Sequence, residues 1–116
     1  LIIEDDQFSR DILSKVLKKE GILKEEASDG REAIWLLDNH EYDLILCDLM
    51  MPNIDGFAVI EHIRNILKSS VPILVLSALG NIESIQKAES MGANNYLIKP
   101  LDIKQLVRTM KEYFNE

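Results

Sequence analysis

With 116 residues, 47% of them apolar and 28% charged, the chain has the composition of a soluble globular protein and the length of one domain. Its 20 acidic and 13 basic residues leave a formal charge of −7, which argues against a nucleic-acid-binding surface over most of the protein and favours a site for cations. No apolar run approaches the roughly 20 residues that span a bilayer. The start lacks a basic signal-peptide region, and the single Cys47 can form neither an internal disulfide nor a cysteine-based zinc site, so the chain reads as soluble and cytoplasmic.

In chain order, Leu1-Ile2-Ile3 reads as a first strand cut short at its start, followed by a helix whose stripe is Phe8, Ile12, Leu13, Val16 and Leu17. Leu23 to Ala27 reads as a weaker, edge-like second strand, and Ala33, Ile34 and Leu37 mark a second helix on which Trp35 reads as a packing residue. Leu44-Ile45-Leu46-Cys47 is continuously apolar, as a strand buried on both faces should be; Phe57, Ile60, Ile63 and Leu67 mark the helix after it. Val71 with Ile73-Leu74-Val75-Leu76, and then Tyr96-Leu97-Ile98, repeat the buried-strand pattern. Between them, Asn81 to Met91 has only Ile82, Ile85 and Met91 as large apolar residues and should be a lightly anchored helix. Ile103, Leu106, Val107, Met110, Tyr113 and Phe114 form the last helical stripe. Glu20-Gly21, Asp29-Gly30, Asp55-Gly56, Leu79-Gly80 and Met91-Gly92 punctuate these segments. Strand and helix alternate, which implies an α/β fold whose parallel strands are joined by right-handed crossovers.

In an open parallel sheet, ligands bind beyond the carboxyl ends of the strands. The residues there are Glu4-Asp5-Asp6 after the first strand, Asp48 after the third, Ser77 after the fourth and Lys99-Pro100 after the fifth. Carboxylates brought together repel one another unless a cation or proton neutralises them, and hard oxygen donors select magnesium, manganese or calcium. A lone Asp after a strand is more often a helix N-cap, but that reading does not account for the whole set.

The stretches Leu1 to Asp6, Asp43-Leu44-Ile45-Leu46-Cys47-Asp48-Leu49-Met50-Met51-Pro52-Asn53-Ile54-Asp55-Gly56, Pro72 to Ala78, and Gly92-Ala93-Asn94-Asn95-Tyr96-Leu97-Ile98-Lys99-Pro100 together resemble the receiver domain of two-component response regulators. The resemblance covers nearly the whole chain, 1–116, as a single receiver domain. It implies a flavodoxin-like, doubly wound five-stranded parallel sheet in order 2-1-3-4-5 with five flanking helices. It implies Asp48 as phosphoacceptor, and a histidine kinase or histidine phosphotransfer protein as the partner that donates the phosphoryl group.

By that resemblance, Asp5 and Asp48 are expected to ligate Mg2+, or Mn2+, with the Met50 backbone carbonyl completing the set and Glu4 acting mainly through bound water. Lys99 supplies an ammonium opposite the metal, and Ser77 a hydroxyl hydrogen bond to the phosphoryl group. The stripe starting at Phe8 and Ile12 sets the register: Glu4 and Asp5 are the pocket pair, and Asp6 belongs to the first helical turn, where the macrodipole favours a negative side chain. Tyr96 occupies the family's switch position, paired with Ser77, and reports to the surface of helix 4, strand 5 and helix 5, which is also the candidate face for a homodimer. By the same resemblance Lys99-Pro100 is expected to be cis. In fast-decaying members of the family, acidic or amide side chains two residues after the acceptor and two after the hydroxyl residue help place the hydrolytic water; here those positions hold Met50 and Leu79.

Cys47 reads as an inert buried thiol, and His40 and His62 as solvated residues without acidic partners. Asn53-Ile54-Asp55-Gly56 has the look of half an EF-hand loop, but that alignment puts Met51 first and His62 twelfth, where an acid and a bidentate Glu belong, so it is a turn. Three rival readings fit the residues less well. A haloacid-dehalogenase-type phosphohydrolase needs a second Asp two residues after the nucleophile, where this chain has Met50. A flavodoxin-like cofactor binder needs a phosphate loop after the first strand, where Glu4-Asp5-Asp6 would repel the ligand. A phosphorylation-independent interaction module would have no need of Asp5, Asp48, Ser77 and Lys99 together.

Overall fold

The computed structural model describes residues 1–114. Strands β1 (Ile2–Ile3), β2 (Glu26–Ala27), β3 (Ile45–Cys47), β4 (Ile73–Ser77) and β5 (Asn95–Ile98) form one parallel sheet in the order β2-β1-β3-β4-β5. Helices α1 (Gln7–Lys19), α2 (Gly30–Asn39), α3 (Gly56–Glu61), α4 (Ile82–Ser90) and α5 (Ile103–Phe114) connect and cover it. The alternating pattern pointed to an α/β fold, and the doubly wound strand order is the one the family resemblance implied. No described helix is long and apolar enough to cross a membrane.

Because side chains alternate across a strand, the unbroken apolar runs divide between two faces. Ile3, Ile45, Cys47, Ile73 and Val75 face one core, completed by Ala33 and Leu37 of α2, Val59 and Ile60 of α3, and Ala88 of α4. Ile2, Leu46, Leu74 and Leu76 face the other, completed by Leu13 and Leu17 of α1 and Leu106 and Met110 of α5. The central strands β3 and β4 run apolar from residue to residue, up to Ser77 at the end of β4, because both of their faces are covered.

The helix starts are set by acidic caps. Asp6, Asp29 and Asp55 accept from the backbone N–H of Ser9, Glu32 and Ala58 at 2.9, 2.8 and 2.9 Å. Asp6 thus stands one position ahead of the first turn of α1, as its N-cap, rather than within that turn. α3 continues into a π-helical turn, His62–Ile66, where Arg64 reaches across to the Gly92 carbonyl and the Asn94 side chain. Gly92 answers two demands there: its φ is +114°, and a Cβ would stand 2.8 Å from the Arg64 Nε.

Several sequence expectations shift. β2 is two residues long, not the five of Leu23 to Ala27, and Leu23 is exposed. Phe8 lies on α1 but is 74% exposed, and Trp35 on α2 is 61% exposed, so neither packs in the core. Phe8 lies at the edge of a stripe wider than the sheet covers, and Trp35, two positions from Ala33 and Leu37, points away from the buried side of α2. α4 is lightly anchored as expected, but its buried residue is Ala88 while Ile82 is exposed. His62 does have an acidic partner, Asp38 of α2, 2.7 Å away.

Candidate functional site

The acidic site sits at the carboxyl edge of the sheet and is assembled by the ladder itself. The Glu4 N–H donates to the Ala27 carbonyl at 3.1 Å and the Asp48 N–H to the Ile3 carbonyl at 3.0 Å, so the ends of β1 and β3 are held side by side. Glu4 and Asp48 are buried, at 1% and 6% exposure, whereas Asp5 is exposed. One carboxylate oxygen from each of the three residues lies within 4.8 Å of the others.

Lys99 is delivered to the same place by the end of β5. Its backbone N–H donates to the Ser77 carbonyl at 2.8 Å, and Lys99-Pro100 is cis, as the resemblance implied. The ammonium donates to Glu4 Oε1 at 2.5 Å and stands 3.8 Å from Asp48 Oδ2. It therefore pairs with Glu4 more closely than with Asp48.

Three carboxylates facing one ammonium leave an excess of negative charge in a partly desolvated pocket. Burial pushes the Glu4 carboxyl above its ordinary range, opposed by its hydrogen bond from Lys99 and reinforced by Asp48. Asp5 is also raised, by desolvation first and by the neighbouring Glu4 second. A hard divalent cation on these oxygens would relieve both strains, and Glu4, Asp5 and Asp48 are the described residues placed to hold one.

Ser77 ends β4, and the register Cys47↔Val75 puts it one step beyond the level of Asp48 on the neighbouring strand. It is fully buried, and its Oγ accepts from the Leu79 N–H at 3.1 Å, which leaves its own proton to donate. Tyr96, half-buried on β5, donates its hydroxyl to the Leu79 carbonyl. Met50 follows Asp48 in the loop, donates its N–H to Asp48 Oδ1 at 3.3 Å and leaves its side chain 55% exposed. Cys47 is fully buried, and burial together with Asp48 and Glu4 pushes its thiol far above the ordinary cysteine range.

The loop that carries Asp48 is braced from behind. The Gly56 N–H donates to the Leu49 carbonyl at 3.0 Å, and a Cβ on Gly56 would overlap the Asp48 carbonyl oxygen and stand 2.7 Å from Leu49 Cα. Asp55-Gly56 is thus both a helix cap and a point of close approach to the acceptor loop. Its sequence alone marks only a turn.

This sheet order with its acidic rim is that of a signalling receiver module. The family profile described as response regulator receiver domain matches residues 1–111, and the chain belongs to that family. It is 36% identical over 111 residues to the probable transcriptional regulatory protein SilR of Salmonella typhimurium, covering 96% of this chain and 48% of that protein. The chain therefore spans about half the length of that relative. Among solved structures, the receiver domain of a Francisella response regulator superposes with a TM-score of 0.91 at 29% identity, covering 97% of this chain and 93% of that one. The receiver domain of a Pseudomonas aeruginosa sensor histidine kinase, solved with a magnesium ion coordinated in its active-site cleft, does so with a TM-score of 0.88 at 26% identity, covering 99% and 95%. Receiver domains of this family are signalling modules of two-component systems.

Proposed function

We propose that the chain is a phosphoacceptor: Asp48 takes a phosphoryl group from a phosphohistidine on a histidine kinase or histidine phosphotransfer protein. The observation that carries this reading is the convergence of Asp48, Glu4, Asp5, Lys99 and Ser77 on one rim, from four different strand ends. An Asp48 carboxylate oxygen attacks phosphorus in line. The P–O bond forms as the P–N bond breaks, and the electron pair stays on the imidazole nitrogen, which takes a proton. Asp5 and Asp48, with the Met50 carbonyl and Glu4 in a supporting place, would hold Mg2+, or Mn2+, which when bound neutralises phosphoryl charge. Lys99, already 3.8 Å from Asp48, offsets charge on the other side, and Ser77 donates to a phosphoryl oxygen.

The product state would be read through Ser77 and Tyr96 on the face formed by α4, β5 and α5, where Ile82 and Ile98 are exposed and a homodimer could form. In this reading residues 1–116 make one cytoplasmic receiver domain that neither enters a membrane nor binds nucleic acid itself, and that catalyses nothing beyond its own phosphorylation and slow dephosphorylation.

The test is incubation of the protein with a small phosphodonor and magnesium, followed by mass spectrometric location of the acid-labile adduct. The adduct is expected on Asp48 alone and absent from Asp48→Asn. A labelled Asp48→Asn variant, or an adduct on Asp5, sinks the proposal.

A further inference from the structure

Glu4 and Asp5 lie where regular backbone hydrogen bonding runs out. β1 ends at Ile3 and α1 starts at Gln7, and the Glu4 N–H makes the last ladder bond on this side. Among the described residues, the ladders of β1 and α1 leave the Glu4 and Asp5 carbonyl oxygens to other partners. A peptide unit without a partner rotates more freely, and the carboxylate beside it moves too.

Arg10 supplies the missing partner from α1. Its Nη1 donates to the Glu4 carbonyl at 2.8 Å and, less closely, to the Asp5 carbonyl at 3.4 Å. Its Nε faces Glu26 Oε1 on β2 at 3.5 Å, and its side chain is 17% exposed. One guanidinium thus ties the β1–α1 connection to both the first helix and the edge strand.

From this geometry we infer that Arg10 is a positioning residue for the cation site: its Nη1, steadied by Glu26 at Nε, holds the Glu4 carbonyl and more loosely that of Asp5, and thereby fixes where their carboxylates stand. The inference rests on the reading that those carboxylates hold a divalent cation. A planar fork with separate donors can serve a carbonyl pair and a carboxylate at once, whereas the point charge of a lysine cannot. Charge and geometry are therefore separable, since Arg10→Lys keeps the first and loses the second.

Two measurements on the full chain test it. In metal-free protein, amide hydrogen exchange at Asp6, whose N–H donates to Glu4 Oε2 at 3.3 Å, should quicken in Arg10→Lys and in Arg10→Gln, while exchange in β4 stays as in the parent. In calorimetric titration with magnesium alone, both variants should bind about tenfold more weakly or worse, the scale seen when a partner of a metal ligand is removed. Glu26→Gln, which leaves the carbonyl contacts in place, should show a smaller loss that vanishes in the Arg10→Gln background.

Unchanged exchange at Asp6 in both Arg10 variants overturns the clamp. Parental magnesium affinity in Arg10→Lys overturns the geometric account in favour of charge alone. A parent that binds no magnesium overturns the metal reading and the affinity half of the inference, while the exchange measurement still judges the clamp.

Discussion

Ser77 and Tyr96 are joined through a single residue between them: the Ser77 Oγ accepts the backbone N–H of Leu79, and the Tyr96 hydroxyl donates to the same residue's carbonyl. The loop leading into α4 is thus pinned at both polar groups of Leu79. If the Ser77 side chain rotates to bring its hydroxyl to a phosphoryl oxygen, Oγ leaves the Leu79 N–H and the loop loses one of its two pins. α4, with Ala88 as its buried anchor, offers little resistance to such a shift.

Ser77→Ala should therefore slow phosphorylation by a small-molecule donor roughly 10- to 150-fold, the worth of about 1.5–3 kcal/mol for a hydrogen bond to a charged group. Tyr96→Phe should accept phosphate at near the parental rate but show smaller phosphorylation-induced chemical-shift changes in α4. Equal changes in α4 for Tyr96→Phe and parent would remove Tyr96 from the pathway.

The acyl phosphate should be long-lived. Hydrolysis needs a water in line with phosphorus, and the side chains placed to guide it, Met50 and Leu79, carry no strong hydrogen-bonding group. Loss of phosphate from purified, magnesium-saturated protein is the measurement, with the Met50→Asn, Leu79→Glu double variant as comparison. The double variant should decay faster; Leu79 keeps its backbone contacts to Ser77 and Tyr96 in it. Decay no faster than the parent would show that water access is not limiting.

Asp5→Ala should weaken magnesium binding severely and Glu4→Ala less, because Asp5 is solvent-facing with its oxygen free for a cation while Glu4 is buried against Lys99. Glu4→Ala carries a second signature: Lys99 loses its nearest partner and is left with Asp48. Calorimetric titration of both variants decides, and equal losses of affinity contradict the division of labour.

Gly56→Ala should lower stability by about 1–3 kcal/mol, since the added methyl meets backbone, which cannot step aside as a side chain can. Urea unfolding measures it. The same variant should phosphorylate more slowly even well below its unfolding midpoint, because the overlap falls on the Asp48 carbonyl. A variant of parental stability would mean that the loop has room that the backbone positions deny.

The central strands and the main site residues were legible in the sequence for a local reason. Unbroken apolar runs such as Ile45-Leu46-Cys47 mark strands buried on both faces, and the residues just after each run must lie on one rim, so Asp48, Ser77 and Lys99 could be placed without coordinates. The caps at Asp6, Asp29 and Asp55 are local as well, yet sequence alone put Asp6 inside the first turn of α1 and marked Asp29-Gly30 and Asp55-Gly56 as punctuation only. Spacing could not determine which part of an apolar stripe the sheet covers. Phe8 fits the helical periodicity of α1 as Ile12 and Leu13 do, yet it is left in water because it stands at the edge of that stripe; Trp35, two residues from both Ala33 and Leu37, faces away from the buried side of α2.

Pairings between distant residues were equally out of reach. Glu4 meets Lys99 across 95 positions and His62 meets Asp38 across 24, and no periodicity links such partners. The reach of Arg10 from α1 back to the Glu4 carbonyl, and the close approach of Gly56 to Asp48, depend on how the loops turn once the helices have docked. Local sequence determined which chemical groups arrive at the rim of the sheet; tertiary packing decided which of them touch, because those contacts arise only after both faces of the sheet are buried.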